Sequence, residues 1–83
     1  MSYREELIQV AAVAVAALED QYVNTDGIHP GNARVQAISA IMDERINQVN
    51  KWGDQKHEPM KWFTILGEEV GEVANAILEK DFT

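Results

Sequence analysis

Residues 59–80 read "PMKWFTILGEEVGEVANAILEK", and this stretch decides the fold class. Stepping about 100° per residue gathers Trp62, Ile65, Leu66, Val70, Val73 and Ile77 into one broad sector, the pattern of an amphipathic helix. Pro59 suits the first turn, where a missing N–H costs nothing. Polar side chains intrude on this face. Glu69 projects within the apolar sector, and Glu68 and Glu72 lie on its edge at i and i+4, in a stripe continued by Asn75 and Glu79. Like charges at that spacing weaken a helix slightly, and a desolvated carboxylate costs several kcal/mol when unpaired. A metal ion, an arginine or water has to compensate.

Working outward, the same periodicity runs through the rest of the chain, and no segment alternates as a strand would. A helix is expected from Tyr3 to about Tyr22, opened by Ser2 with Glu5 three residues on, the form of a capping box. Its apolar face would carry Tyr3, Leu7, Val10, Val13, Ala14, Ala17 and Leu18, with Glu6 at the margin and Gln9 beside it. Residues 23–32, "VNTDGIHPGN", are dense in turn formers and read as a linker. A second helix is expected from Ala33 to about Trp52 with Asn32 as its N-cap. Val35, Ile38, Ile41, Met42, Val49 and Trp52 form its stripe, and Arg45 falls in the middle. Residues 53–58 break the pattern before the third helix, expected from Pro59 to about Lys80.

The chain is therefore read as all-α and as one domain over residues 1–83. A chain of this length buries only about 60% of the surface its unfolded form exposes. Three rods of roughly 20 residues, each about 30 Å long, leave much apolar surface open. That predicts a four-helix-type bundle completed by a second subunit, a homodimer or homotetramer.

Composition narrows the function classes. Fourteen acidic against seven basic side chains give a net charge of −7, which argues against broad binding to DNA or RNA. There is no cysteine, hence no disulfide framework and no thiolate metal site. The longest apolar run, Val10 to Leu18, is far shorter than the roughly 20 residues a membrane span needs. The charged start, "MSYREE", lacks the form of a secretory leader, so a cytoplasmic location is expected.

Clustered oxygen ligands suit Mg²⁺, a hard cation that binds through one or a few carboxylates, keeps several waters and takes substrate phosphates. Zinc fits less well. His57-Glu58 does not begin an HExxH motif, because Lys61 and Trp62 stand where the second histidine belongs. His29 and His57 are both expected in loops, facing solvent. Gly67 and Gly71 lie within a helix, suited to close packing rather than to a phosphate loop.

Three segments together resemble a known family. "WFTILGEEVGEVANAILE" (62–79) resembles the EExxE helix of the MazG-like all-α nucleoside-triphosphate pyrophosphohydrolases. "IMDERINQVNKWGDQKHEPMKW" (41–62) resembles the helix that precedes it in that group, and "EELIQVAAVAVAALE" (5–19) the helix that bears its ExxD motif. The resemblance implies hydrolysis of an NTP or dNTP to the monophosphate and pyrophosphate, with Mg²⁺, or Mn²⁺ in its place. Glu68, Glu69 and Glu72 match the first acidic motif and are implied as metal-binding and catalytic. Glu6 matches the second motif, and Gln9 replaces its aspartate. Arg45 and Lys51 are expected at the substrate phosphates, and Trp52 or Trp62 against the base. The family's usual order places the segment found here at 5–19 last. Joining Thr83 to Ser2 restores that order, so the chain is expected to be a circular permutant whose old ends are bridged by "NTDGIHPGN", the alternative being a domain swap in which the ends meet between subunits.

Overall fold

The computed structural model describes residues 1–81, and all regular structure among them is helical. There are three helices: α1 (Tyr3–Asp26), α2 (Pro30–Trp52) and α3 (Pro59–Leu78). The chain divides into two compact units, one ending at Gly53 and the other beginning at Asp54. Each is described by itself.

The first unit is a helical hairpin in which α1 and α2 pack on each other. Ser2 opens α1, its hydroxyl oxygen accepting from the Glu5 N–H at 3.1 Å. Glu5 and Glu6 in the first turn complement the positive end of the helix dipole. The helix runs one turn past the expected Tyr22. Asn24 Nδ2 donates to Asp20 Oδ1 at 2.8 Å, an i,i+4 contact that keeps an apparent turn residue helical. Gly27, at φ +70°, then stops it in the left-handed conformation that costs glycine least. The N–H groups of Gly27 and Ile28 converge on the Tyr22 carbonyl.

The linker is correspondingly short, Gly27 to His29 rather than residues 23–32. His29, not Asn32, caps α2: its Nδ1 accepts from the Gly31 N–H at 3.0 Å. Pro30 occupies the first helical position, where proline is preorganised. The expectation failed because Asn, Thr and Asp mark turns only when the neighbouring helix does not claim them.

The packed faces also differ from the expected ones. The only buried residues of the hairpin are Ala33 and Ala37, one turn apart on α2 and 1% and 0% exposed. Ala40 continues their line, half-buried, and α1 is half-buried at Val15, Leu18, Glu19, Gln21, Tyr22 and Val23, all in its C-terminal half. Of the α1 residues expected inside, only Leu18 belongs to this set. Tyr3, Leu7, Val10 and Val13 are exposed, Val13 by 70%. On α2, Val35, Ile38, Ile41, Met42 and Trp52 are exposed as well. Small alanines on α2 allow the helices to approach closely, against half-buried Val15, Leu18 and Tyr22 of α1. A methyl contributes only about 0.8 kcal/mol when buried, so this seam alone is thin.

One ion pair crosses the hairpin, Arg34 Nε to Glu19 Oε1 at 2.7 Å. The hydrogen bond from the guanidinium to the carboxylate, and then the Glu19 charge, raise the Arg34 pKa above its ordinary value.

In the second unit, Pro59 starts α3 without a side-chain cap. His57 is half-buried rather than solvent-facing: its ring meets Trp62 edge-on with centroids 4.8 Å apart, and Nε2 lies 3.1 Å from Gln55 Oε1. Proximity across one turn, invisible to periodicity, brings these rings together. The helix closes at Leu78, with the Lys80 N–H on the Ile77 carbonyl and the Asp81 N–H on that of Ala76. Lys80 takes φ +56° to do so, a position that glycine usually fills. No residue of α3 is buried. Met60, Phe63, Val70, Val73 and Ile77 are each more than half exposed, and Leu78 reaches 79%.

Candidate metal and nucleotide site

The acidic motif sits in the middle of α3. Because α3 is an unbroken helix from Pro59 to Leu78, Glu68 and Glu72 stand one turn apart on one face, with Glu69 about 100° round from Glu68. Gly67 and Gly71 flank them. A Cβ added at either glycine would meet nothing within 4 Å. The expected close packing is therefore absent at both positions among the described residues. The acids stand on a stretch of helix with little side-chain crowding.

Glu68, Glu69 and Glu72 are all exposed. None takes part in an ion pair with another described residue: no arginine or lysine among them pairs with these carboxylates. Among the described residues no three His, Asp or Glu side chains come together in a group able to hold a metal ion. Carboxylates three and four apart still form neighbouring pairs, Glu69 with Glu72 and Glu68 with Glu72. Mg²⁺ needs only one or two carboxylates when phosphates and waters complete its shell, so the donor chemistry suits it.

The second half of the expected site lies in the hairpin unit. Glu6 and Gln9 are three residues apart on α1, near its start, and both are exposed. The Gln9 Nε2 donates to Met1 Sδ at 3.4 Å, which leaves the amide oxygen outside that contact. A cavity of about 480 Å³ on the same turns is lined by Tyr3, Arg4, Leu7, Ile8 and Ala11, and neither Glu6 nor Gln9 belongs to it.

Arg45, expected at the centre of a buried stripe, is exposed because the stripe itself is exposed. It forms no ion pair among the described residues. Lys51 and Trp52 end α2 side by side. The Lys51 Nζ sits 4.9 Å above the indole centroid, a cation–π contact at the helix end where the dipole favours a cation. Trp52 is 58% exposed, so part of its ring surface stays open to solvent.

Two partnerships escaped sequence reading. Glu19 and Arg34 lie nearly symmetrically about the Gly27 turn, and a tight turn there, once recognised, pairs them. The His57–Trp62 contact carries no signal of its own beyond a spacing of five residues. As for the ends of the proposed permutation, Thr83 lies outside the described residues.

Compared with known family models, characterised proteins and solved structures, the chain matches none of them significantly.

No helix is long and apolar enough to cross a membrane, among the described residues.

Proposed function

We propose that this chain is a Mg²⁺-dependent nucleoside-triphosphate pyrophosphohydrolase, converting an NTP or dNTP to the monophosphate and pyrophosphate. One observation carries the reading: three carboxylates in EExxE spacing stand exposed and without an ion pair on one uninterrupted helix, in a sequence with two further segments resembling the MazG-like group. On this reading the protein is a permuted MazG-like domain, and a second copy covers apolar faces that the single chain leaves open.

Glu68, Glu69 and Glu72 would hold the cation, with Glu6 and the amide oxygen of Gln9 as the second half of the donor set. A bound ion would supply charge neutralisation at the phosphates and favour a nucleophilic water. One of the three α3 glutamates would orient the attacking water. Arg45 and Lys51 contact phosphate oxygens, the Arg through the planar fork that fits two of them at once. Trp52 offers the base a stacking surface, on the ring face that Lys51 does not cover.

A second reading, a non-catalytic helical module that binds a nucleotide or a protein, is favoured by Gln9 and by the lack of a three-ligand group among the described residues. A neutral amide holds Mg²⁺ more weakly than the aspartate it replaces. A screen for pyrophosphate release over NTPs and dNTPs separates the two. The first reading expects Mg²⁺-dependent release from at least one of them. Nucleotide binding without release from any supports the second.

A further inference from the structure

We propose that the Asp26–Gly27 bond is a site of spontaneous covalent modification, isomerising to isoaspartyl when the cap of α1 lets go of its amide. The chemistry needs only two neighbouring residues. The Gly27 backbone nitrogen attacks the γ-carboxyl carbon of Asp26, and the new C–N bond closes a five-membered succinimide. The amide proton leaves with the carboxyl hydroxyl as water. Water then adds to either ring carbonyl and opens the ring. One opening restores aspartate, and the other routes the main chain through the β-carbon. One water is lost and one regained, so no co-reactant is required. Glycine favours the attack because it has no Cβ to crowd the nitrogen. Of the aspartates in this chain only Asp26 precedes a glycine, and no asparagine does.

The fold exposes this bond and restrains it at one point. Asp26 is the last residue of α1, exposed and outside any ion pair with another described residue. A Cβ built on Gly27 would meet nothing within 4 Å, so the position is uncrowded. What holds the nitrogen is the helix cap, in which the Gly27 N–H donates to the Tyr22 carbonyl. The Asn24 to Asp20 hydrogen bond braces the same last turn. Attack requires the amide to leave that carbonyl and Asp26 to leave the helix. Opening of a helix end is the least costly opening a fold undergoes. The cap therefore sets the rate at which the folded chain ages.

The product bears on the hairpin. Isoaspartyl adds one carbon to the main chain beside a connection of only Gly27 to His29. The Gly27 and Ile28 amides, which converge on the Tyr22 carbonyl, are displaced by that carbon. Tyr22 and Ala33 lie on either side of this turn, in the packed half of the hairpin, so modified molecules should melt lower.

The test ages the full chain at neutral pH, folded and in urea, and separates the two isomers at residue 26 by peptide mapping. Both samples should accumulate isoaspartate there. The folded one should be roughly two- to tenfold slower, the factor that one backbone hydrogen bond of typical net strength supplies. Asp26→Glu should abolish the product, because its longer side chain would have to close a six-membered ring. Asn24→Gly removes the brace without touching the reactive pair, so it should speed the folded reaction and leave the rate in urea unchanged. A folded protein that forms no isoaspartate at residue 26 overturns the proposal. So do equal rates folded and in urea, or an Asn24→Gly protein that ages like the wild type.

Discussion

The hairpin of α1 and α2 and the single helix α3 solve different problems. The hairpin is held by small parts: two buried alanines, a glycine stop, a histidine cap and one ion pair. Most of its large aliphatic side chains stay exposed, and only a few, Val15 and Leu18 among them, are half-buried. In α3 the balance is reversed. The apolar sector is broad and strongly patterned, yet no residue is buried, and three carboxylates stand among or beside the apolar groups. A charge that would cost several kcal/mol in a closed core costs little in water. The acids of α3 therefore need no arginine to be tolerated. Their interest lies in arrangement: exposed oxygens at ligand spacing, outside any ion pair, on a helix that commits no side chain to a core of its own.

The contrast predicts unequal responses to substitution. Ala37→Leu should be the most damaging change, costing about 3 kcal/mol by forcing a large side chain into a seam sized for a methyl. Loss of helicity and a lower melting temperature would report it. An Ala37→Leu protein that melts like the wild type would mean that the alanine seam does not hold the hairpin. Next, Mg²⁺ at 100 times its dissociation constant should raise stability by about 2.7 kcal/mol. That gain should vanish in Glu69→Gln. A melt unmoved by Mg²⁺, together with a Glu69→Gln protein that melts no lower, argues that the α3 acids are ordinary solvated charges.

Gly71→Ala probes α3 directly. With nothing within 4 Å of the new methyl, alanine should stabilise the helix by about 1 kcal/mol. Destabilisation instead, accompanied by a change in oligomeric state by sedimentation, would show that a second copy packs closely on the glycine face. Arg34→Ala should have the smallest effect, because its side chain is 73% exposed and surface pairs contribute little. Its melting difference from wild type should shrink further as salt is added.

Much of the fold was legible in the sequence, and the reasons are local. Tyr3 and Pro59 were placed as helix starts and Trp52 as a helix end because cap chemistry and proline act within a few residues. The α1–α2 turn was misread because Asn24 and Asp26 favour turns, while the Asn24–Asp20 contact that keeps Asn24 helical is itself a product of the helix. Faces were harder still. Periodicity identifies which residues share a side, but it does not choose between a wide aliphatic sector and a narrow line of alanines as the contact. That choice depends on how closely two backbones approach, which a single helix does not encode. At the site, the spacing of Glu68, Glu69 and Glu72 was legible and their exposure was not. Desolvation depends on neighbours from outside the helix, which its own periodicity does not encode.

The proposal that α3 carries half of a Mg²⁺-dependent pyrophosphohydrolase site stands or falls on pyrophosphate release from the preferred nucleotide in wild type and Glu72→Gln. Removing the one carboxylate that pairs with both of the others should lower the Mg²⁺-dependent rate by about 10²-fold or more, on the scale of losing a transition-state charge stabiliser. The variant should keep its helicity, because an exposed Glu→Gln change disturbs nothing packed. Release that survives Glu72→Gln at the wild-type rate would mean that the α3 acids do not hold the catalytic ion.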